Sequence, residues 1–446
     1  DTTGVLYVLD EPSIGLHPYN VDGLMKIVRE LVDRKNSVVL VDHDPRILMD
    51  ADQLIEIGPG AGKEGGRIVT QGTPLEAEKN PHSLIGPYLS GKESLKVRSR
   101  ATEKDMFENG SIRIKTKPFY TVQALDVSIP KGRMIAVTGV SGSGKTSLAI
   151  ECLVPALQAV IQGTKLPEHV DSIEAKGIQS VKVIDSKPIG ANVRSTVATY
   201  DGVFDDLRKL FARTADAKAK GLTAGDFSYN TGKLRCPVCD GTGIITMDVQ
   251  FLPDVDTICP SCGGSRYGKD AYDILWKSKE KDSVSVSLPG LLKLTVEEAA
   301  GILHEETKIA KQLKILQDLG VCYLMLGEAT PALSGGEAQR LKLAYEMETP
   351  QQGSVFVFDE PTIGLHPQDV KKLVLIFDHL IQLGATVIVI EHDLELVTNC
   401  DYIIDMGPWG GTEGGRVVVE GTPEAVAATS ESITGRYLKQ ELAEDK

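Results

Sequence analysis

Short, mainly apolar runs alternate with longer stretches of helical periodicity at two places, one near each end of the chain. Runs of this kind are typical of strands buried on both faces of a parallel sheet. Apolar residues three and four positions apart between two such runs predict an amphipathic helix. The paired segments are 5–9 and 355–358 (first strand), 21–33 and 370–382 (helix), and 37–41 and 386–390 (second strand). The pattern therefore predicts two βαβ units and an α/β fold.

The two βαβ units are copies of one another. VLDEPSIGLHP, starting at Val8, recurs as VFDEPTIGLHP, starting at Val357, and LVDHD at 40–44 recurs as VIEHD at 389–393. A third match begins at Ile55 and Ile404, and all three share an offset of 349 residues. Because polar and apolar positions recur in step, we interpret them as one structural unit used twice.

Composition limits the classes of protein that fit. The chain has 446 residues, 25% of them charged, and a net charge of −14. This balance argues against a general polyanion binder but is compatible with a local basic groove. No apolar run approaches the roughly 18 residues that span a membrane, so we expect a cytoplasmic protein without a membrane partner. The chain opens on Asp1, close to a motif usually found deep inside a domain, and we interpret it as a C-terminal fragment.

A glycine-rich loop carries the first candidate chemistry. GVSGSGKT at 139–146 follows the apolar run 134–138 and precedes a helical pattern, as a phosphate-binding loop requires, although a ligand-free glycine turn is the plain alternative. Its backbone N–H groups and the helix dipole would face phosphate oxygens. Lys145 is expected to reach the β- and γ-phosphates of ATP, and Thr146 to bind Mg²⁺. The predicted nucleotide-binding residues here are Gly139, Val140, Ser141, Gly142, Ser143, Gly144, Lys145, Thr146 and Ser147.

A second motif, LSGGEAQR at 333–340, precedes the acidic pair Asp359–Glu360. The order of phosphate loop, LSGGE, acidic pair at a strand end and histidine after the next strand resembles the ABC ATPases. This resemblance implies that Asp359 holds Mg²⁺ through water, that Glu360 polarises the attacking water, and that His392 contacts the γ-phosphate. A salt bridge or helix cap for Glu360, and a packed core histidine for His392, are the plain alternatives.

The same resemblance assigns roles outside this set. In ABC ATPases the signature loop caps a nucleotide bound to the opposite cassette, which here implies Ser334, Gly335, Gly336 and Glu337. The first repeat would supply the matching acidic pair, with Asp10 as a nucleotide-site residue and Glu11 and His43 as catalytic residues.

The separation of 189 residues between Lys145 and Ser334 indicates an insertion. It contains two CxxC pairs, whose spacing predicts a tetrahedral, structural Zn²⁺ site. The segment between the two pairs is predicted to form a strand and a hairpin that includes 251–255. A disulfide is the plain alternative, but the odd total of seven cysteines favours a reducing compartment. The predicted zinc ligands are Cys236, Cys239, Cys259 and Cys262.

With this insertion the resemblance narrows to the UvrA family, which carries two ABC cassettes and inserted zinc modules in one chain. The segments that look like this family are 194–212, 227–243, 251–267 and 326–344. One departure is Ser186, which stands where many members have the glutamine that couples nucleotide to the insertion. The resemblance implies the C-terminal part of a first cassette at 1–90, a linker at 91–117, a second cassette at 118–160 and 325–446, and an insertion at 161–324 with a zinc module at about 227–268.

A basic island lies beside the zinc motif, in a predicted helical stretch where only Asp216 opposes it. The family resemblance implies contacts between this island and the backbone of double-stranded DNA, although a solvated helix face is the plain alternative. The residues expected to contact DNA are Arg194, Arg208, Lys209, Arg213, Lys218 and Lys220.

The function implied by the resemblance is recognition of damaged DNA by an ATPase in nucleotide excision repair, with transfer of the DNA to a UvrB-like helicase. A paralogue acting in drug resistance, and an ABC ATPase without a DNA role, are the alternatives. Because ABC nucleotide sites are shared between cassettes, neither site is complete within these 446 residues. We therefore expect weak ATP binding and poor hydrolysis unless two copies form a homodimer.

Overall fold

A computed structural model of the protein describes residues 3–60, 65–91, 93, 96–190, 192–247, 255–279, 284–347 and 351–444. The chain folds into two compact units. One consists of residues 1–186 together with 349–446, and the other of residues 187–348.

The first repeat contributes two small sheets to the first unit. Its elements are β1 (Leu6–Asp10), α1 (Pro18–Asp33), β2 (Ser37–Val41), α2 (Pro45–Met49), β3 (Leu54–Gly58), β4 (Arg67–Gly72), α3 (Pro74–Lys79) and α4 (Gly86–Leu89). β1 and β2 pair in parallel, whereas β3 and β4 pair antiparallel.

The next segment builds the region around the glycine-rich loop. Its elements are β5 (Ser111–Thr116), β6 (Asp126–Pro130), β7 (Met134–Thr138), α5 (Val154–Gln162), β8 (Val170–Glu174) and β9 (Ser180–Ile184). The helix after the loop has a π-helical stretch, Ser147–Leu153, which continues directly into α5. β5 pairs antiparallel with both β6 and β8.

The second unit is mainly helical and includes a cysteine-bearing hairpin. Its elements are α6 (Val197–Tyr200), α7 (Val203–Ala212), α8 (Ala215–Ala219), β10 (Ile244–Met247), β11 (Val255–Ile258), β12 (Leu275–Lys277), β13 (Ser285–Ser287), α9 (Leu288–Leu291), α10 (Val296–Ile302), α11 (Thr307–Asp318) and α12 (Gly335–Met347). Short 3₁₀ helices occupy Lys269–Asp273 and Thr330–Ala332. Buried aromatic residues form much of its interior, among them Phe211, Phe227, Tyr229 and Tyr267.

The second repeat completes a six-stranded sheet in the first unit. Its elements are β14 (Ser354–Asp359), α13 (Pro367–Gln382), β15 (Thr386–Ile390), α14 (Leu394–Thr398), β16 (Tyr402–Gly407), β17 (Arg416–Gly421), α15 (Pro423–Ala428) and α16 (Ile433–Glu444), with a 3₁₀ helix at Gly411–Glu413. The strand order is β17-β16-β7-β15-β14-β9. All neighbouring pairs are parallel except β16–β17, and the core packs this sheet against β5, β6 and the helix that ends in α5.

The predicted repeat is confirmed as a structural repeat with the same offset. α1 and α13 begin at Pro18 and Pro367, and β2 and β15 also match residue for residue. The two copies differ in burial: Val8 on β1 is 63% exposed, whereas Val357, its equivalent on β14, is fully buried. Other residues of this chain therefore cover strand β1 of the first repeat less completely than they cover β14, its equivalent in the second repeat.

The boundaries between the two units differ from the predicted domain boundaries. The stretch 91–117, predicted to be a linker, includes β5, and the predicted insertion 161–324 includes β8 and β9. β9 pairs with β14, about 170 residues later, and a local pattern cannot show a pairing this distant. The second unit consequently begins at Lys187 and contains the LSGGE helix, α12.

A buried ion pair fastens the segment before β5 to the second repeat. Arg98 lies 3.1 Å from Asp401 and 2.9 Å from Asp378, and both the Arg98 and Asp401 side chains are almost fully buried. Asp401 also accepts hydrogen bonds from the backbone N–H groups of Ala101 (2.7 Å) and Met134 (2.8 Å). This segment is thereby held against β7.

We predict that Arg98→Ala lowers the free energy of unfolding by about 3–5 kcal/mol, because it leaves the buried Asp401 carboxylate without its cation. Urea unfolding monitored by circular dichroism measures the change. Arg113→Ala is the matched control: Arg113 pairs with Asp126 in an exposed bridge, so this variant should unfold at nearly the same urea concentration as the wild type. Equal losses in the two variants would contradict the assignment.

Candidate functional site

Three neighbouring parallel strands deliver the predicted nucleotide-site residues to one edge of the sheet. β7 runs into the glycine-rich loop, β14 ends at Asp359, and β15 is followed by Glu391 and His392. Ligand sites in open α/β sheets lie at such carboxyl ends. Ser186 follows β9, the next strand in the sheet, and reaches the same edge.

The glycine-rich loop requires glycine for steric reasons. Gly139 has a φ of +131°, and a Cβ atom there would lie 2.0 Å from the carbonyl oxygen of Met406. Gly142 and Gly144 also have positive φ. The loop therefore presents backbone rather than side chains along its inner surface, as phosphate binding needs.

Lys145 is buried within this loop. Its Nζ donates hydrogen bonds to the carbonyl oxygens of Gly139 (2.9 Å) and Val140 (3.0 Å). Burial lowers the pKa of Lys145 to about 8, while the nearby carboxylates, Glu360 first among them, oppose that shift. Ser143 is also buried, and its hydroxyl has no partner among the described residues, whereas Ser141 and Thr146 are exposed and Ser147 is partly buried.

Glu360 and His392 face each other. Glu360 has a φ of +47°, held by a 2.9 Å hydrogen bond from its N–H to the carbonyl of Ile390, and its Oε1 lies 3.5 Å from His392 Nε2. The hydrogen bond to His392 lowers the pKa of Glu360, so this carboxyl is ionised at neutral pH. Burial lowers the pKa of His392, which favours a neutral imidazole.

These contacts alone do not distinguish a catalytic pair from a structural one, in which Glu360 forms a salt bridge and His392 is a packed core histidine. One feature goes beyond them: the buried Nδ1 of His392 has no hydrogen-bond partner among the described residues. A buried polar atom without a partner is costly, so it needs a further explanation.

The first repeat reproduces this arrangement. Glu11 has a φ of +45°, its N–H donates to the carbonyl of Val41 at 2.7 Å, and its Oε1 lies 3.8 Å from His43 Nε2. Asp10 ends β1 as Asp359 ends β14. The predicted first-repeat residues are therefore brought together as their second-repeat equivalents are.

The prediction missed one pair of residues at these sites. Glu391 accepts hydrogen bonds from the N–H groups of Thr362 (3.0 Å) and His392 (2.7 Å), and burial raises its pKa to about 8. Asp42, its equivalent, accepts from Ser13 and from the His43 N–H. Each carboxyl fixes the loop after the acidic pair to the histidine. The repeat contained the signal, since an acidic residue precedes the histidine in both copies.

The two repeats meet loop to loop. A Cβ atom at Gly15 would lie 3.0 Å from Glu360 Oε2, and one at Gly364 would lie 3.9 Å from Glu11 Oε1. A cavity of about 410 Å³ lies at this junction and is lined by both histidines, His43 and His392. The loop after each acidic pair therefore approaches the acidic pair of the other repeat.

The LSGGE residues form a helix start in the second unit. Ser334 precedes α12, its N–H donates to Glu337 Oε2 at 2.7 Å, and the Glu337 N–H lies 3.3 Å from Ser334 Oγ. Tyr323 also donates to Glu337, at 2.7 Å. This capping box leaves Gly335 and Gly336 in the first turn, where backbone N–H groups have no partner within the helix.

The four predicted zinc ligands come together at the base of the β10–β11 hairpin. The sulfur atoms of Cys236 and Cys259 are 4.0 Å apart, those of Cys239 and Cys262 are 3.7 Å apart, and all four lie within 4.8 Å of one another. Tetrahedral zinc–thiolate bonds of about 2.3 Å place sulfurs about 3.8 Å apart, whereas a disulfide needs about 2.05 Å. The donor set fits zinc, and the hairpin tip at 248–254 lies outside the described residues.

The basic island differs from the prediction. Apart from Arg194, it lies along and at the ends of two helices, α7 and α8, and four of its cations have acidic partners. The ion pairs are Arg194–Asp240, Arg208–Asp205, Lys209–Asp206 and Lys220–Asp273. The expectation that only Asp216 opposes the island was wrong, because i,i+3 partners and residues distant in sequence also contribute. Arg213 and Lys218 are exposed and form no ion pair with any described residue.

Comparisons with known proteins identify relatives of the chain. No family model matches the chain. Over its full length, aligned across 450 residues, the chain is 44% identical to UvrABC system protein A of Staphylococcus aureus (strain COL), of which it covers 46%. It therefore spans about half the length of the curated relatives it matches.

Solved structures show the same relationship. The chain is similar to UvrA2 from Deinococcus radiodurans, with a TM-score of 0.88 and 38% identity over 99% of this chain and 52% of that one. A ribosome-bound archaeal Pelota–ABCE1 structure shares the fold alone, at a TM-score of 0.51 and 15% identity over 95% of this chain and 54% of that one. The predicted α/β architecture of ABC-type cassettes with a cysteine-bearing insertion is confirmed. Within the described residues, no helix is long and apolar enough to cross a bilayer.

We predict that Cys259→Ser lowers bound zinc from about one ion per chain to near zero and lowers the melting temperature, because the thiolates of this cluster hold the hairpin base. Inductively coupled plasma mass spectrometry and thermal unfolding check this. Cys322→Ser, at a cysteine outside the cluster, is the control and should keep its zinc. Full zinc content in Cys259→Ser would show that the cluster is not the metal site.

Proposed function

Since the chain belongs to the UvrA family of ABC ATPases, we propose that it binds ATP at the Lys145 loop and uses it to control binding of damaged double-stranded DNA in nucleotide excision repair. The observation that carries the proposal is the convergence of Lys145, Glu360 and His392 at the ends of adjacent strands. The similarity to UvrABC system protein A disfavours an ABC ATPase without a DNA role.

The nucleotide role follows from charge and position. Lys145 would exchange its bonds to the loop carbonyls for the β- and γ-phosphates, and Asp359 and the exposed Thr146 would hold Mg²⁺. Mg²⁺, when bound, neutralises charge on the phosphates. Glu360, ionised beside His392, orients the attacking water, and the unpartnered Nδ1 of His392 gives that ring the capacity for one more hydrogen bond.

The second half of each nucleotide site would come from the signature loop of an opposite cassette. In this proposal Ser334 and the N–H groups of Gly335 and Gly336 cap the γ-phosphate, and Glu337 fixes their geometry through its bonds to Ser334. Asp10, Glu11 and His43 form the corresponding first-repeat site. A homodimer and a UvrB-like helicase are the proposed protein partners.

DNA binding is assigned to the second unit. Arg213 and Lys218 offer exposed positive charge, whereas Arg194, Arg208, Lys209 and Lys220 must exchange carboxylate partners for phosphates. Such contacts are sequence-independent, so preference for damage would come from the deformability of the duplex.

For the nucleotide site, we predict that Lys145→Ala weakens Mg–ATP binding at least about tenfold, because it removes the cation that faces the phosphates. Glu360→Gln should keep ATP affinity and lower any turnover by about 10²- to 10⁴-fold. Isothermal titration and phosphate release measure the two effects. Lys165→Ala, at an exposed lysine after α5, is the control, and wild-type affinity in Lys145→Ala would refute the assignment.

For DNA, we predict that Arg213→Ala combined with Lys218→Ala weakens binding of duplexes alike, damaged or not. The slope of log affinity against log salt should shrink by about 0.9 for each phosphate that the variant no longer neutralises. Fluorescence anisotropy at several salt concentrations measures it, with Lys165→Ala again as control. An unchanged slope would exclude these two residues from the interface.

A further inference from the structure

His17 belongs to the first repeat but is buried against the second. It caps the N-terminus of α1, where its Nδ1 accepts a hydrogen bond from the Tyr19 N–H at 3.2 Å. Its Nε2 lies 3.1 Å from Thr434 Oγ1, in α16. Because Nδ1 accepts, the ring proton is on Nε2, which donates to Thr434. Burial lowers the pKa of His17 to about 3, so the ring is neutral.

The bond from His17 continues into the core of the second repeat. Thr434 Oγ1 donates to Asp405 Oδ1 at 2.6 Å, and Thr138 Oγ1 donates to the same oxygen at 2.7 Å. Ser432 donates to the other carboxylate oxygen at 2.7 Å. Thr138 is the last residue of β7, directly before the glycine-rich loop. A continuous hydrogen-bonded path thus links the first repeat to the base of the nucleotide-binding loop.

The equivalent residues that would link the second repeat to the first do not form a continuous path, because one hydroxyl group is replaced. His366 caps α13 through its Nδ1, and it packs edge-on against Tyr88 as His17 packs against Tyr437, with ring centroids 5.9 Å apart in both pairs. The equivalent of Thr434, however, is Ile85, which has no hydroxyl. Glu56, the equivalent of Asp405, accepts instead from Ser83 Oγ and from the N–H groups of Leu84 and Ile85.

We propose that His17 is a positioning residue for the nucleotide site of the second repeat, and that it acts through Thr434, Asp405 and Thr138. Contact between the repeats is thereby transmitted to the Lys145 loop, whereas among the described residues Ile85 interrupts the corresponding path from His366 in the first repeat. Buried hydrogen bonds in a chain polarise one another, so the loss of one weakens the rest. The inference rests on the proposed binding of ATP at Lys145.

Two substitutions separate this role from capping and packing. Thr434→Ile installs the first-repeat residue, and His17→Asn keeps a good helix cap but is too short to reach Thr434. Each should weaken binding of Mg²⁺ with a fluorescent ATP analogue by roughly 3- to 10-fold. Thr434→Ser, which keeps the hydroxyl, should bind as the wild type does.

The double variant decides between relay and general destabilisation. If both residues act through one path, adding His17→Asn to Thr434→Ile should lower the affinity for the analogue little further. The double variant should then bind the analogue as Thr434→Ile does, with little change in the urea midpoint of unfolding. The proposal would be overturned if the fold-losses in affinity of the two single variants multiplied in the double variant. It would also be overturned if Thr434→Ile bound the analogue with wild-type affinity. If the wild type fails to bind the analogue, or Lys145→Ala binds it equally well, the proposed nucleotide site fails instead.

Discussion

The reciprocal packing of two copies of one βαβ unit is the constraint on which the first unit depends. Each acidic pair lies beside the loop of the other copy, Glu360 beside Gly15 and Glu11 beside Gly364, and each capping histidine lies against a tyrosine of the other copy. A side chain at either glycine would be strained by its positive φ, and at Gly15 it would also press on the Glu360 carboxylate. The approach of the two loops therefore depends on the residue types that the two copies of the repeat share.

Burial explains the electrostatics of the site that this packing encloses. Lys145, His392 and Glu391 all lie in low-dielectric surroundings, and burial shifts each pKa toward the neutral form. Glu360 is the exception, because its hydrogen bond to His392 keeps it charged. An ionised carboxylate beside a neutral imidazole is suited to orienting a water, while Lys145, with a pKa of about 8, is still mostly protonated at neutral pH and can bind phosphate.

Local patterns predicted what is local. The strands of the two βαβ units and the strand before the glycine-rich loop were predicted from periodicity and the constant offset, as were α1 and α13, and the glycine-rich loop and the four cysteines were predicted from spacing. The pairing of β9 with β14 and the carboxylate partners of Arg194 and Lys220 were missed, since they depend on residues brought together by the fold. The relay from His17 is of the same kind: Thr434 and Asp405 lie more than 380 residues beyond it, and no sequence pattern pairs them with His17.

A double-mutant cycle on His366 and Tyr88 measures whether the two repeats pack through these loops in solution. His366→Asn keeps the cap of α13 while removing the ring, and Tyr88→Leu removes its edge-on partner. If they do, we expect a coupling free energy of about 0.5–1.5 kcal/mol between the two substitutions in urea unfolding. Additive effects, with coupling below about 0.3 kcal/mol, would contradict it.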